Sequence, residues 1–154
     1  MGKSRSAIAR KQRLKVVGET YWKHVLAFNQ GRCIYCGDMA TSEDHVPALE
    51  WLYALGTAYF QAKGISPLLV PSCKRCNGWL GPKPYHSIRQ RKGYIASRLR
   101  ALSQKILDSP KWEQDEIEEM GFMLRTILND REAVKEYLVR RIDWAETTFR
   151  WDEV

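Results

Sequence analysis

Apolar residues recur at helical spacing along most of the chain. Across 86–108, Ile88, Ile95, Leu99, Leu102 and Ile106 lie seven, four, three and four residues apart, which predicts a helix buried along that stripe. Arg89, Arg91, Lys92, Arg98, Arg100 and Lys105 fill much of its remainder. Residues 48–63 read as an amphipathic helix interrupted at Gly56 and closed by Gly64. Tyr21, Trp22, Val25, Leu26 and Phe28 form a less regular stripe that predicts a helix over 19–30, with Gly31 as its stop. Beyond 108, Ser109-Pro110 is expected to open a helix that buries Ile117, Met120, Leu124 and Ile127. Asn129 and Asp130 are expected to cap a last one carrying Val134, Leu138, Ile142 and Ala145. The short apolar run 68–70 reads as a strand, and Gly78, Gly81, Pro82 and Pro84 exclude a long helix soon after it. The pattern is therefore mainly helical with a little strand. No internal repeat or low-complexity segment interrupts it.

At 154 residues the chain suits one domain, or a small core with a helical extension. Charge divides it. Through Pro110 there are 18 Lys/Arg against 6 Asp/Glu; from Lys111 onward there are 7 against 12, which leaves the net +7. A basic body favours a polyanion, because each phosphate it neutralises releases condensed counterions. The acidic end is better suited to packing or assembly. Residues 2–15 are basic and poor in large apolar groups, so they read either as a solvated terminus or as an arm that contacts phosphates. No apolar stretch follows these early basic residues, and the most apolar segment, 46–60, contains Glu50 and is shorter than the roughly 20 residues a spanning helix needs. A soluble, intracellular (cytoplasmic) protein without membrane contact is expected. In that setting cysteines serve as metal ligands more readily than as disulfides.

Those cysteines carry the strongest chemical signal. Cys33-Ile34-Tyr35-Cys36 and Cys73-Lys74-Arg75-Cys76 are two C-x-x-C turns, each able to give two thiolates to one ion. Together they fill a tetrahedral shell with no open position, so the expected metal is a structural Zn²⁺. An iron–sulfur cluster or two disulfides are the alternatives. Thirty-six residues separate the pairs, more than a simple zinc ribbon uses. Within that loop lies Thr41-Ser42-Glu43-Asp44-His45-Val46-Pro47, and Asn77 directly follows the fourth cysteine.

The order C-x-x-C, Asp44-His45-Val46-Pro47, then Val70-Pro71-Ser72-Cys73-Lys74-Arg75-Cys76-Asn77, resembles the HNH endonuclease superfamily. It is most similar to members with four zinc-binding cysteines, including the phage endonuclease VII group. The resemblance spans about 31–84 and implies an α+β fold: a small ββα-metal (HNH) core on a four-cysteine zinc knot, surrounded by N- and C-terminal helices. Together with the division of charge along the chain, this gives a basic arm (1–18), a zinc-supported nuclease domain (19–108) and an acidic helical hairpin (109–154). The resemblance further implies a DNA endonuclease that leaves a 5′-phosphate and a 3′-hydroxyl. His45 would be the general base, and Asp44 and Asn77 would hold a catalytic Mg²⁺ or Mn²⁺ distinct from the zinc. The chain departs from the family pattern at Leu68, where many members carry an Asn that orients the imidazole, and at Leu80, where endonuclease VII-like members carry an acid.

Lys74, Arg75, Lys83, Arg89, Arg91 and Lys92 are the expected nucleic-acid contacts, through backbone or shape rather than a base code. Trp79 and Tyr85 interleave with them and read as stacking residues or as core. Glu43 reads as a solvated neighbour of the site, His24 as part of the 19–30 helix, and His86 as a helix start able to approach substrate. The acidic helices are expected to cover the core or to pair in a homodimer, as endonuclease VII-like enzymes do. The competing functions are an inactive zinc-stabilised nucleic-acid-binding or regulatory protein, favoured by Leu68 and Leu80, and a protein-interaction module built on the acidic helices.

Overall fold

The computed structural model describes the backbone of Trp22–Lys23 and residues 31–153. The basic arm, most of the predicted 19–30 helix and His24 lie outside the described residues. The element order is β1 (Trp22–Lys23), β2 (Ser42–Val46), α1 (Leu49–Leu55), α2 (Thr57–Ala62), β3 (Leu68–Ser72), α3 (Lys74–Leu80), α4 (Ile88–Leu107), α5 (Gln114–Glu118), α6 (Phe122–Glu146) and a terminal 3₁₀ turn (Arg150–Glu153). Among the described residues no helix is long and apolar enough to cross a membrane.

The sheet is small. β2 and β3 pair antiparallel, with Asp44 opposite Val70 and His45 opposite Leu69. Strand alternation sends Asp44, Val46, Leu68, Val70 and Ser72 into the core, while His45 and Leu69 are half-buried. On its other edge β3 takes Trp22–Lys23 as a parallel strand, Trp22 opposite Leu68. These two residues were expected in a helix. A β3 edge left bare would present unpaired backbone groups beside the core, and pairing with β1 satisfies them.

The helices follow their punctuation. Gly56 sits at φ +80, a conformation costly for residues with a Cβ, and splits 48–63 into α1 and α2 as expected. Cys73 caps α3: its sulfur accepts from Cys76 N at 3.4 Å. α4 buries Ile88, Ile95 and Leu99, but Leu102 is 60% exposed. α6 runs 25 residues, about 37 Å, and packs on α4.

The C-terminal boundaries differ from those expected. Pro110 does not open a helix; α5 starts from a capping box in which Glu113 N donates to Glu116 Oε2 at 2.8 Å. Asn129 and Asp130 lie inside α6, exposed and without capping work, because Gly121 already supplies the break. Ile117 is buried as expected, whereas Leu124, Ile127 and Val134 are 50%, 58% and 47% exposed. The reason is length. Lys135 Nζ donates to Ser109 O just past the end of α4, so the earlier part of α6 has little but α5 to pack on. Ile142 and Ala145, further along α6, join the same buried cluster as the four cysteines, so the C-terminal helix shares one core with the sheet.

Candidate functional site

The two cysteine turns meet as their spacing predicts. Cys33, Cys36, Cys73 and Cys76 are buried, and their sulfurs all lie within 4.8 Å of one another. Cys36 and Cys73 Sγ are 3.8 Å apart, close to the roughly 3.8 Å edge of a tetrahedron with 2.3 Å Zn–S bonds. No disulfide joins them. Sulfur–sulfur hydrogen bonding drives the four thiols apart: Cys36 falls to about 7 and Cys73 falls further, while Cys33 and Cys76 rise. A cation that takes all four as thiolates removes that conflict. The donor set fits a metal ion such as zinc.

Local structure builds the first turn tightly. Gly37 N donates to Cys33 O at 2.9 Å, and Cys33 N to Asp38 O. Gly37 lies at φ +71, and a Cβ there would meet the Trp144 ring at 2.6 Å, so only glycine fits. The ring belongs to α6, which covers this turn. Trp144 Nε1 donates to Ile34 O at 3.0 Å, Tyr137 OH to Asp38 Oδ2 at 2.5 Å, and buried Arg141 Nη2 to Cys36 Sγ at 3.3 Å. Sequence reasoning did not find this lid. Arg141 reads there as one more charge on a mixed helix, and only its position on the stripe of Leu138, Ile142 and Ala145 marks it as inward-facing.

The Asp-His-x-Pro segment is β2 and its exit. Asp44 is 5% exposed, and its Oδ2 accepts from Tyr35 OH at 2.6 Å and from Arg91 Nη1 at 2.6 Å. Burial pushes its carboxyl above the ordinary range against the pull of Arg91 and Tyr35. Arg91, fully buried, also donates through Nε to Tyr85 O at 2.9 Å, and its Nη2 finds no acceptor among the described residues. His45 is half-buried on the opposite face of the strand. Asn77 on α3 donates through Nδ2 to Glu43 O at 3.0 Å and, more weakly, toward Ser42 Oγ at 3.4 Å. This ties α3 to β2 one residue before Asp44 and leaves the Asn77 carbonyl oxygen as the end able to meet a ligand. Glu43 is exposed, and Leu68 and Leu80 are buried core residues.

Of the six basic residues expected at a nucleic-acid surface, Lys74, Arg75 and Arg89 are exposed and Lys83 is half-buried. Arg91 and Lys92 require correction. Arg91 is spent on Asp44; Lys92, 3% exposed, donates to Asp152 Oδ2 at 2.8 Å and to Thr147 O at 2.5 Å. Both side chains are buried, so neither reaches a phosphate at the surface. Both lie on the buried stripe with Ile88 and Ile95, a phase the helical spacing already contained.

His86 sits edge-on between Trp51 and Phe60, with ring centroids 5.5 and 5.1 Å away. Its Nδ1 is buried without a hydrogen-bond partner among the described residues. Burial, and then the nearby Arg91 charge, hold its pKa below 6.5. A depressed folded-state pKa contributes stability that is present above the unfolded value of about 6.5 and lost as pH falls through the folded one. His86→Phe is therefore expected to flatten the fall in melting temperature between about pH 7 and the folded-state pKa. An unchanged slope in matched thermal melts would assign that acid sensitivity to other groups.

Compared with known protein families, curated proteins and solved structures, the chain matches none.

Proposed function

We propose that this protein is a DNA endonuclease of the HNH type, with zinc at Cys33, Cys36, Cys73 and Cys76 and with His45 as general base. The observation that carries the reading is the Asn77 Nδ2 to Glu43 O bond, 3.0 Å. It locks the helix that starts from the second cysteine pair onto the strand that presents Asp44 and His45. Two antiparallel strands followed by a short helix on a metal knot are the arrangement the sequence motif implies. A half-buried imidazole can take a proton from a water attacking phosphorus. His45 is the histidine so placed beside the knot. The zinc, closed by four thiolates, organises the site and takes no part in the chemistry.

Asp44 could meet a divalent cation only through Oδ1, on a side chain that is 7% exposed. A Mg²⁺ ligand needs an oxygen free to face the ion, and Oδ2 of Asp44 already accepts two hydrogen bonds, one from a guanidinium that supplies the compensating charge. The same observation favours a second reading, in which the fold binds nucleic acid without cutting it.

The test is nicking of supercoiled plasmid by the metal-loaded protein, with Mg²⁺, with Mn²⁺ and with chelator, beside His45→Ala. Loss of the general base is expected to slow nicking by about 10²–10⁴-fold with the zinc content unchanged. Equal nicking by wild type and variant would remove His45 from the mechanism. No nicking of plasmid or of branched DNA by the wild type would leave the binding protein.

A further inference from the structure

Residues 51–107 contain ten Lys/Arg and no Asp/Glu. Their charges meet different fates. Arg91, Lys92 and Arg100 are neutralised by Asp44, Asp152 and Glu146. On the outer side of α3 and the adjoining flank of α4 the cations have no carboxylate partner among the described residues and are instead held against aromatic rings. Arg75 lies one helical turn before Trp79 on α3, its guanidinium carbon 5.9 Å from the indole centroid. Arg98 reaches the same indole from α4 at 5.7 Å. Lys83 Nζ lies 5.1 Å over Tyr94, which in turn stacks obliquely on Tyr85 at 5.4 Å.

We propose that Arg75, Arg98 and Lys83, set in place by Trp79 and Tyr94, form a face that grips the sugar-phosphate backbone of duplex nucleic acid. Three features define the ligand. The first is the charge: a cluster of cations with no acid for more than fifty residues of chain calls for a polyanion. The second is the fork: two guanidiniums within about 12 Å of each other can each bind a phosphate bidentately, and that separation spans only a few phosphates along one strand. The third is the state of the rings. Trp79 and Tyr94 are half-buried against the core, and the cations lie over them. Rings occupied in this way orient the cations, which favours contact with the backbone over stacking on bases.

The face also reaches the proposed catalytic side. Around α3, Asn77 and the Arg75–Trp79 pair lie on opposite flanks, and the exposed Lys74 and Gly78 form the ridge between them. A Cβ at Gly78 would meet nothing within 4 Å, so the ridge is open. A duplex laid across it touches both flanks. The inference deepens the nuclease reading, but it is tested by binding alone, so the failure of either can be told from the failure of the other.

The experiment is fluorescence anisotropy of the full-length, metal-loaded protein with a labelled duplex and with one of its strands, over a series of salt concentrations. Arg75→Ala and Arg98→Ala are each expected to weaken duplex binding about 3- to 10-fold at low salt and to reduce the salt slope by about 1. Arg98→Lys keeps the charge but loses the fork and is expected to fall between. Lys111→Ala removes the same unit of charge from the acidic end and is expected to change neither quantity. Circular dichroism and metal content confirm that each variant is folded. Arginine variants with unchanged affinity and slope, or tighter binding of the single strand than of the duplex, would overturn the assignment.

Discussion

Stripping the metal with a strong chelator, or replacing Cys76 with Ser, is expected to abolish the cooperative thermal transition of this protein. The cysteines are part of the core itself: all four belong to the cluster that holds Val46, Val70, Ile95 and Leu99. They also join two chain segments far apart in sequence, the turn before β2 and the turn after β3. Without a metal, four buried thiols must satisfy one another through weak sulfur hydrogen bonds. A tetrathiolate zinc site contributes an apparent 10–16 kcal/mol in small zinc domains, as much as the whole stability of an ordinary domain, about 5–15 kcal/mol. Calorimetry with and without chelator, with zinc assayed in the same samples, reads the effect. A transition that survives verified metal removal would show that the cysteines do not hold the fold through an ion.

The next largest effect is expected at Asp44 and Arg91. Both side chains are essentially inaccessible, at 7% and 0%, and the ion pair measures 2.6 Å. Removing one partner of such a pair leaves an uncompensated buried charge and costs about 3–5 kcal/mol. Asp44→Asn keeps the volume and can still accept from Tyr35, yet strands the guanidinium; Arg91→Met strands the carboxylate. Each is expected to lower the melting temperature by about 10 °C, since a domain of this size shifts some 2–4 °C per kcal/mol. The double variant is expected to recover part of the loss, because neither charge is then left alone. Urea titrations of the four proteins give the coupling energy. If Asp44 instead acts as a ligand for a divalent cation, Asp44→Asn alters cation dependence and leaves stability nearly unchanged.

How far these features could be read in advance depends on their range along the chain. The cysteine turns, the break at Gly56, strand β3 and helix α4 are written in neighbouring residues, and the structure holds them where local chemistry puts them. Trp22–Lys23 is different. Its pairing with β3 lies across 46 positions of sequence, and a local apolar stripe cannot register such a partner. The capping box at Glu113 was legible but lost to the more conspicuous Ser109-Pro110. The charges of α4 show the deepest limit. Arg91 and Lys92 look like Arg89 and Arg98 in sequence, and only the carboxylates of Asp44 and Asp152, brought from distant segments, make two of them internal. At the candidate site, the positions of Asp44, His45 and Asn77 near the knot followed from the motif. The claim of Arg91 on Asp44 did not.

The bond from Arg141 to Cys36 has a consequence for the order in which the molecule is assembled. During synthesis the four cysteines emerge well before residue 141, so a nascent chain can gather its thiolates while the helix that shelters them is still unmade. With a divalent ion held by four thiolates, the centre would carry a double negative charge, and until α6 arrives one side of it would stand open to water and to competing thiols. Docking of Arg141 and Trp144 then closes that side with a cation and a ring. Helix α6 thus seals a centre whose ligands are made earlier in the chain, and a polypeptide cut short before it would keep those ligands but leave them exposed.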